Sequence, residues 1–97
     1  MKQLLRLEQY TLKKPGEVLL VEADIDGEID QVMVFKGFSS SLVRQTEFDP
    51  DIPVLPENAV IVRIDRLYSP YLPDNPRYIQ QNLSWQEMQS LLNQFGI

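Results

Sequence analysis

A chain of 97 residues with 43% hydrophobic residues and a net charge of −5 has room for one packed core, so residues 1–97 read as a single domain. It has no cysteine and no histidine, which excludes disulfides, thiolate metal sites and imidazole chemistry, and no cofactor or metal is expected. The charge is uneven: residues 1–16 hold Lys2, Arg6, Lys13 and Lys14 against Glu8, residues 17–57 hold ten acids against Lys36 and Arg44, and residues 58–97 are neutral. An acidic middle disfavours wrapping a phosphate backbone, whose affinity comes largely from counterion release by Lys and Arg, so a nucleic-acid partner is not the leading expectation.

The first residues carry charge at every turn and lack the apolar stretch of an export signal. Apolar runs such as 18–21 and 59–62 reach only four residues, far below the roughly 20 that span a bilayer. A soluble, cytoplasmic protein without membrane insertion is expected. Residues 4–12 read as a first strand, closed by the turn Lys13-Lys14-Pro15-Gly16. Residues 17–38 read as a hairpin, because Asp26-Gly27 between two β-rich runs suits a two-residue type I′ turn. That turn sets the register, pairing Ile25 with Glu28, Ala23 with Asp30, Val21 with Val32 and Leu19 with Val34 on one face. Glu22 with Gln31, Leu20 with Met33 and Val18 with Phe35 fall on the other, so the stem is apolar on both faces and calls for cover on both.

Residues 37–58 read as irregular, with Ser39-Ser40-Ser41, Asp49-Pro50-Asp51, Pro53 and Pro56. Residues 59–68 read as a strand, with Val60, Val62 and Ile64 on one face and Ala59, Ile61 and Leu67 on the other. Residues 69–82 read as a second irregular stretch. Pro70, Pro73 and Pro76 at a spacing of three suit a polyproline path, and Asn75-Pro76 suits the start of a short helical turn through Gln80. The last helix has the fullest signature. Ser84 and Glu87 are spaced as a capping box, Leu83 and Met88 as a hydrophobic staple, and Gly96 as a terminator. Trp85, Met88, Leu91, Leu92 and Phe95 form its apolar stripe, read as the lid on one face of the sheet.

Most candidates for chemistry have a structural explanation. Asp24, Asp26, Glu28 and Asp30 fail as a calcium loop, since Gly27 falls fourth where position six is needed, and they suit a hairpin tip. Ser39 to Ser41 have no histidine base and no nucleophile elbow, so a solvated turn is expected there. Asp49 and Asp51 fit turn capping beside Pro50 better than an acid and base pair. The cluster that resists this treatment contains Arg63, Asp65, Arg66, Tyr68, Tyr71, Arg77 and Tyr78, because tyrosine and arginine are enriched in binding hot spots. Arg66, Tyr68, Tyr71, Asn75, Arg77 and Tyr78 are therefore the candidate partner-binding residues, with the loop over 38–56 as neighbouring surface. The competing reading lays the tyrosines over the sheet as cover.

Phe35-Lys36-Gly37-Phe38-Ser39-Ser40-Ser41-Leu42, Asp49-Pro50-Asp51-Ile52-Pro53-Val54-Leu55-Pro56, Ile64-Asp65-Arg66-Leu67-Tyr68-Ser69-Pro70-Tyr71, Asn75-Pro76-Arg77-Tyr78 and Leu83-Ser84-Trp85 make the chain resemble a small conserved protein family of cyanobacteria and plastids that has no assigned activity. The resemblance carries over no catalytic or binding residue. It implies a photosynthetic cell, where small non-catalytic proteins assist assembly or join large complexes.

The expected fold is α+β: a twisted antiparallel sheet of four to five strands, with closure into a small barrel as an option, capped by the C-terminal helix. The expected function is a non-catalytic protein-interaction module, an assembly factor or accessory subunit with a protein partner. The alternative is a single-stranded nucleic-acid-binding small barrel. A carboxylate enzyme comes third and needs two acids in a real cleft.

Overall fold

In the computed structural model, which describes residues 1–43 and 54–97, Asp26 and Gly27 adopt φ of 52° and 90°. These left-handed values make the tight turn between strands β1 (Glu17–Ile25) and β2 (Glu28–Phe35). The pairing runs from Ile25 with Glu28 through Val21 with Val32 to Leu19 with Val34, the register that the turn dictates. A second turn of the same kind follows at Lys36 and Gly37, with φ of 49° and 85°. It sends the chain back as strand β3 (Phe38–Ser41) beside β2. The three serines are thus an edge strand and not a solvated turn. Their short hydroxyls disguised them, because a strand at a sheet edge needs little apolar surface.

The segment read as a first strand is instead helix α1 (Lys2–Lys13). Leu4, Leu7, Tyr10 and Thr11 are its buried residues, at steps of three and four, while Leu5 and Leu12 are 57% and 63% exposed. Strong helix formers fill the segment, but no side chain caps its start at Met1, so the usual entry signal is missing. Pro15 follows the C-cap Lys14, where it cannot continue the helix.

Strand β4 (Val60–Tyr68) lies antiparallel to the other side of β1, and its register shifts between Glu22 and Ala23. Glu22 faces Arg63 and Ala23 faces Ile61, leaving Val62 as an extra residue. This bulge moves Ile61 onto the face of Ile64, and Val60 and Val62 become 63% and 48% exposed, which corrects the alternation expected from the sequence.

Residues Tyr78–Leu83 form strand β5 beside β4 rather than a helical turn. Only Leu83 of that strand is buried, so β5 is an edge without the apolar alternation that marks a strand. Helix α2 (Trp85–Gln94) ends the fold as expected. Ser84 Oγ accepts from the Glu87 amide and Glu87 Oε1 from the Ser84 amide, each at 3.1 Å, and Leu83 and Met88 are buried around the cap.

The five strands among the described residues run in the order β3-β2-β1-β4-β5. The sheet is open, with β3 and β5 at opposite edges, and does not close into a barrel. Both helices cover one face, where Leu4, Leu7, Tyr10, Met88 and Leu92 meet Leu19, Val21, Val32, Val34 and Ile64. Each such side chain contributes about 1.5–3 kcal/mol on burial. Val18, Leu20 and Leu67 alternate to the opposite face and are also buried, so both faces of the hairpin stem are covered. No helix among the described residues is long and apolar enough to cross a membrane.

Candidate functional site

Three segments converge where β1 begins. The C-terminal turn of α1 enters β1 through Pro15 and Gly16, and the Glu17 amide donates to the Lys14 carbonyl at 3.0 Å. Gly37 N donates to Thr11 Oγ1 at 2.9 Å, which brings the turn between β2 and β3 to the same end. Tyr68 at the end of β4 lies opposite Glu17, and Ser69 N donates to the Gly16 carbonyl at 2.9 Å, so the loop over 69–77 starts there too.

Glu17 is the hub. Its Oε1 accepts from Tyr10 Oη at 2.7 Å and from Arg66 Nε at 3.0 Å, and another guanidinium nitrogen of Arg66 donates to Gln80 Oε1. The Glu17 and Arg66 side chains are only 12% and 15% exposed. Burial pushes the Tyr10 phenol well above its ordinary value, and the bond to Glu17 adds to the shift, because ionisation would place a second anion beside the carboxylate. For Arg66 burial is the largest single influence and works against the charge, but the hydrogen bonds and negative charge of Glu17 and Tyr10 together outweigh it and hold the guanidinium above its ordinary value.

Beside this network lies a cleft of about 450 Å³, lined by Lys13, Lys14, Pro15, Gly16, Glu17, Arg66, Tyr68 and Ile79. Lys13 Nζ donates to the Phe95 carbonyl at 2.7 Å and Lys14 Nζ sits 4.6 Å from the Phe95 ring centroid, so α1 places its cations at the negative end of α2. Arg77 stacks 5.9 Å from the Tyr68 ring centroid and its Nη2 reaches the Ser69 carbonyl at 3.3 Å. Tyr68 nevertheless remains 52% exposed.

Of the residues expected to bind a partner, Arg66, Tyr68 and Arg77 are therefore brought together. Tyr71 is half-buried in the following loop, and Asn75 is exposed in a turn whose amide bonds the Leu72 carbonyl. Tyr78 pairs with Leu67, on the sheet face away from the helices, and is 41% exposed. Tyr10, Glu17, Lys13, Lys14 and Gln80 join the site without having been picked out. Tyr10 was hidden by the misassigned first strand and Glu17 by its place at the start of an ordinary hairpin strand, whereas the Lys13-Lys14 pair was a visible basic signal.

Several of the other polar candidates are engaged structurally. Asp24 Oδ1 accepts from the Gly27 amide at 2.8 Å, which makes the acidic cluster a hairpin tip. Ser39 donates to Glu8 at 2.7 Å and Ser41 to Asp30 at 2.9 Å. Arg63 pairs with Glu22 at 3.2 Å on the face opposite Arg66. Asp49, Asp51 and most of the loop over 38–56 lie outside the described residues, while Phe38 at its start is 78% exposed. No group of three or more acidic residues among those described is placed to hold a metal ion.

Residues 4–92 match the family described as Domain of unknown function (DUF7734), and the chain belongs to that family. No curated protein and no solved structure matches the chain.

Proposed function

We propose that this domain is a non-catalytic protein-interaction module, an assembly factor or accessory subunit of a larger complex, acting in the cytoplasm. It docks through the end of the fold where the cleft opens. The observation that carries this reading is the Tyr68–Arg77 stack: two hot-spot residue types held against each other, half open to solvent, at the rim of the cleft. Their order is already in place before binding, which lowers the entropy lost on docking. The resemblance to a cyanobacterial and plastid family makes a photosynthetic complex the first place to look. The reading is non-catalytic because Ser39, Ser41 and the carboxylate at the cleft are engaged in structural bonds. The nucleic-acid alternative needs a row of free arginines on one surface, yet Arg63 and Arg66 face opposite ways and each is paired to a glutamate.

Quantitative cross-linking mass spectrometry in a cyanobacterial lysate tests the reading. A partner enriched by the wild-type chain and lost with a folded Tyr68→Ala/Arg77→Ala variant is the expected result. Equal enrichment by both would move the docking surface elsewhere, and the absence of any enriched protein would overturn the module itself.

A further inference from the structure

The two ends of β1 carry opposite charge. At the Glu17 end stand Lys13, Lys14, Lys36, Arg66 and Arg77, against Glu17 itself, Asp74 and Glu8, which bonds Ser39 at the start of β3. Around the Asp26-Gly27 turn stand Asp24, Asp26, Glu28, Asp30 and Glu57, against the terminal ammonium and Lys2; Met1 N pairs with Glu57 at 3.0 Å and Asn58 Nδ2 donates to Asp26 at 2.9 Å, which fixes those residues at that end. The acidic end and the basic cleft are separated by the nine-residue length of β1. An approaching anion is repelled at one end and drawn to the other.

The walls of the cleft come from different elements: Lys13 and Lys14 on the α1 side, Arg66 and Tyr68 on the sheet side, with Pro15 and Ile79 as apolar surface. Its volume of about 450 Å³ admits a few side chains and not a globular surface. Lys13 and Lys14 each hold a single contact to Phe95 among the described residues, and an ammonium has three donors, so both keep capacity for a carboxylate. The acidic tip of a second copy is a poor occupant, because its carboxylates are carried on a tight two-residue turn closed by the Asp24 bond to the Gly27 amide and not on an extended segment. A polynucleotide would have to avoid an acidic end within the length of one strand.

We infer that this cleft binds an extended acidic segment of a partner protein, with its carboxylates between Lys13, Lys14 and Arg77 and an apolar side chain against Pro15, Tyr68 and Ile79. This deepens the interaction-module reading and rests on it, because it names the chemistry of the partner.

The probe is a fluorescein-labelled peptide of alternating glutamate and leucine, titrated at low salt and followed by anisotropy, with amide chemical shifts recorded on the protein. Saturable binding is expected, with shifts centred on residues 13–17, 66–68 and 79. Loss of at least about tenfold in affinity is expected for Lys13→Gln/Lys14→Gln, and again for a peptide with glutamine in place of glutamate, as two or three partly exposed charge contacts would give. Circular dichroism confirms that the variant is folded, and Arg77→Gln, which leaves the α1–α2 contact intact, provides a second test. Absence of binding, shifts elsewhere, indifference to both variants, or equal affinity for an oligothymidylate overturns the inference. If the peptide fails while cross-linking to a partner still depends on Tyr68 and Arg77, the inference falls and the interaction module stands.

Discussion

At the Ile25 end of β1, apart from the buried Asp30, the acids are held at or near the surface: Asp24 bonds the amide of its own turn, Asp26 meets an exposed Asn58, and Glu57 holds the terminal ammonium while 84% exposed. At the Glu17 end, a carboxylate with 12% of its side chain exposed joins Tyr10 on α1 to Arg66 on β4, and Arg66 reaches on to Gln80 on β5. The same residue types stand in different dielectric surroundings. Water screens the first set, whereas partial burial makes each contact in the second stronger when made and costlier when broken.

Glu17→Ala puts that contrast under the greatest strain. It leaves a largely buried guanidinium and phenol without their acceptor and is expected to lower stability by about 2–3 kcal/mol in urea denaturation. A loss under about 0.5 kcal/mol would place the network in the same class as surface pairs.

The two type I′ turns sharpen the comparison through their glycines. A Cβ added at Gly27 meets nothing within 4 Å, so Gly27→Ala carries only the strain of φ +90°, about 1–2 kcal/mol. At Gly37 a Cβ would come within 2.9 Å of Leu12 Cδ2 as well, and Gly37→Ala is expected to cost more. Shortening Leu12 to alanine in the same chain should recover the difference, which paired denaturation curves would measure.

Tyr10→Phe tests the buried end by pH. The folded phenol titrates above its unfolded value, so as pH rises past about 10 the unfolded chain loses this proton first and stability falls. In the phenylalanine variant the slope above that pH should flatten, while stability at neutral pH drops by about 1 kcal/mol for the lost hydrogen bond. Smallest of all is the expected effect of Asp26→Asn at the exposed tip, within about 0.5 kcal/mol by thermal melting.

Local chemistry accounts for what was legible in the chain. Asp26-Gly27 demands a two-residue turn and thereby the register of seven residue pairs between β1 and β2. Ser84 and Glu87 satisfy the first amides of α2 from within four residues, so that helix announces itself. Tyr68 and Arg77 could be picked out by type, since residues suited to interfaces are recognisable without their neighbours.

Other features depend on distant contacts. Leu4, Leu5, Leu7 and Leu12 fit a strand as well as a helix until the core buries Leu4 and Leu7 and leaves Leu5 and Leu12 outside. Val62 is a bulge only because Arg63 and Ile61 find partners on β1, and the polar run at Gln80 to Asn82 becomes a strand only because β4 offers an edge. The absence of cysteine and histidine is a matter of composition, and the Asp26-Gly27 turn and the α2 cap follow from the sequence alone because each involves residues a few positions apart. The cleft was decided by tertiary structure, since Lys14, Arg66 and Ile79 lie far apart along the chain and share a surface only once α1 and the sheet have packed.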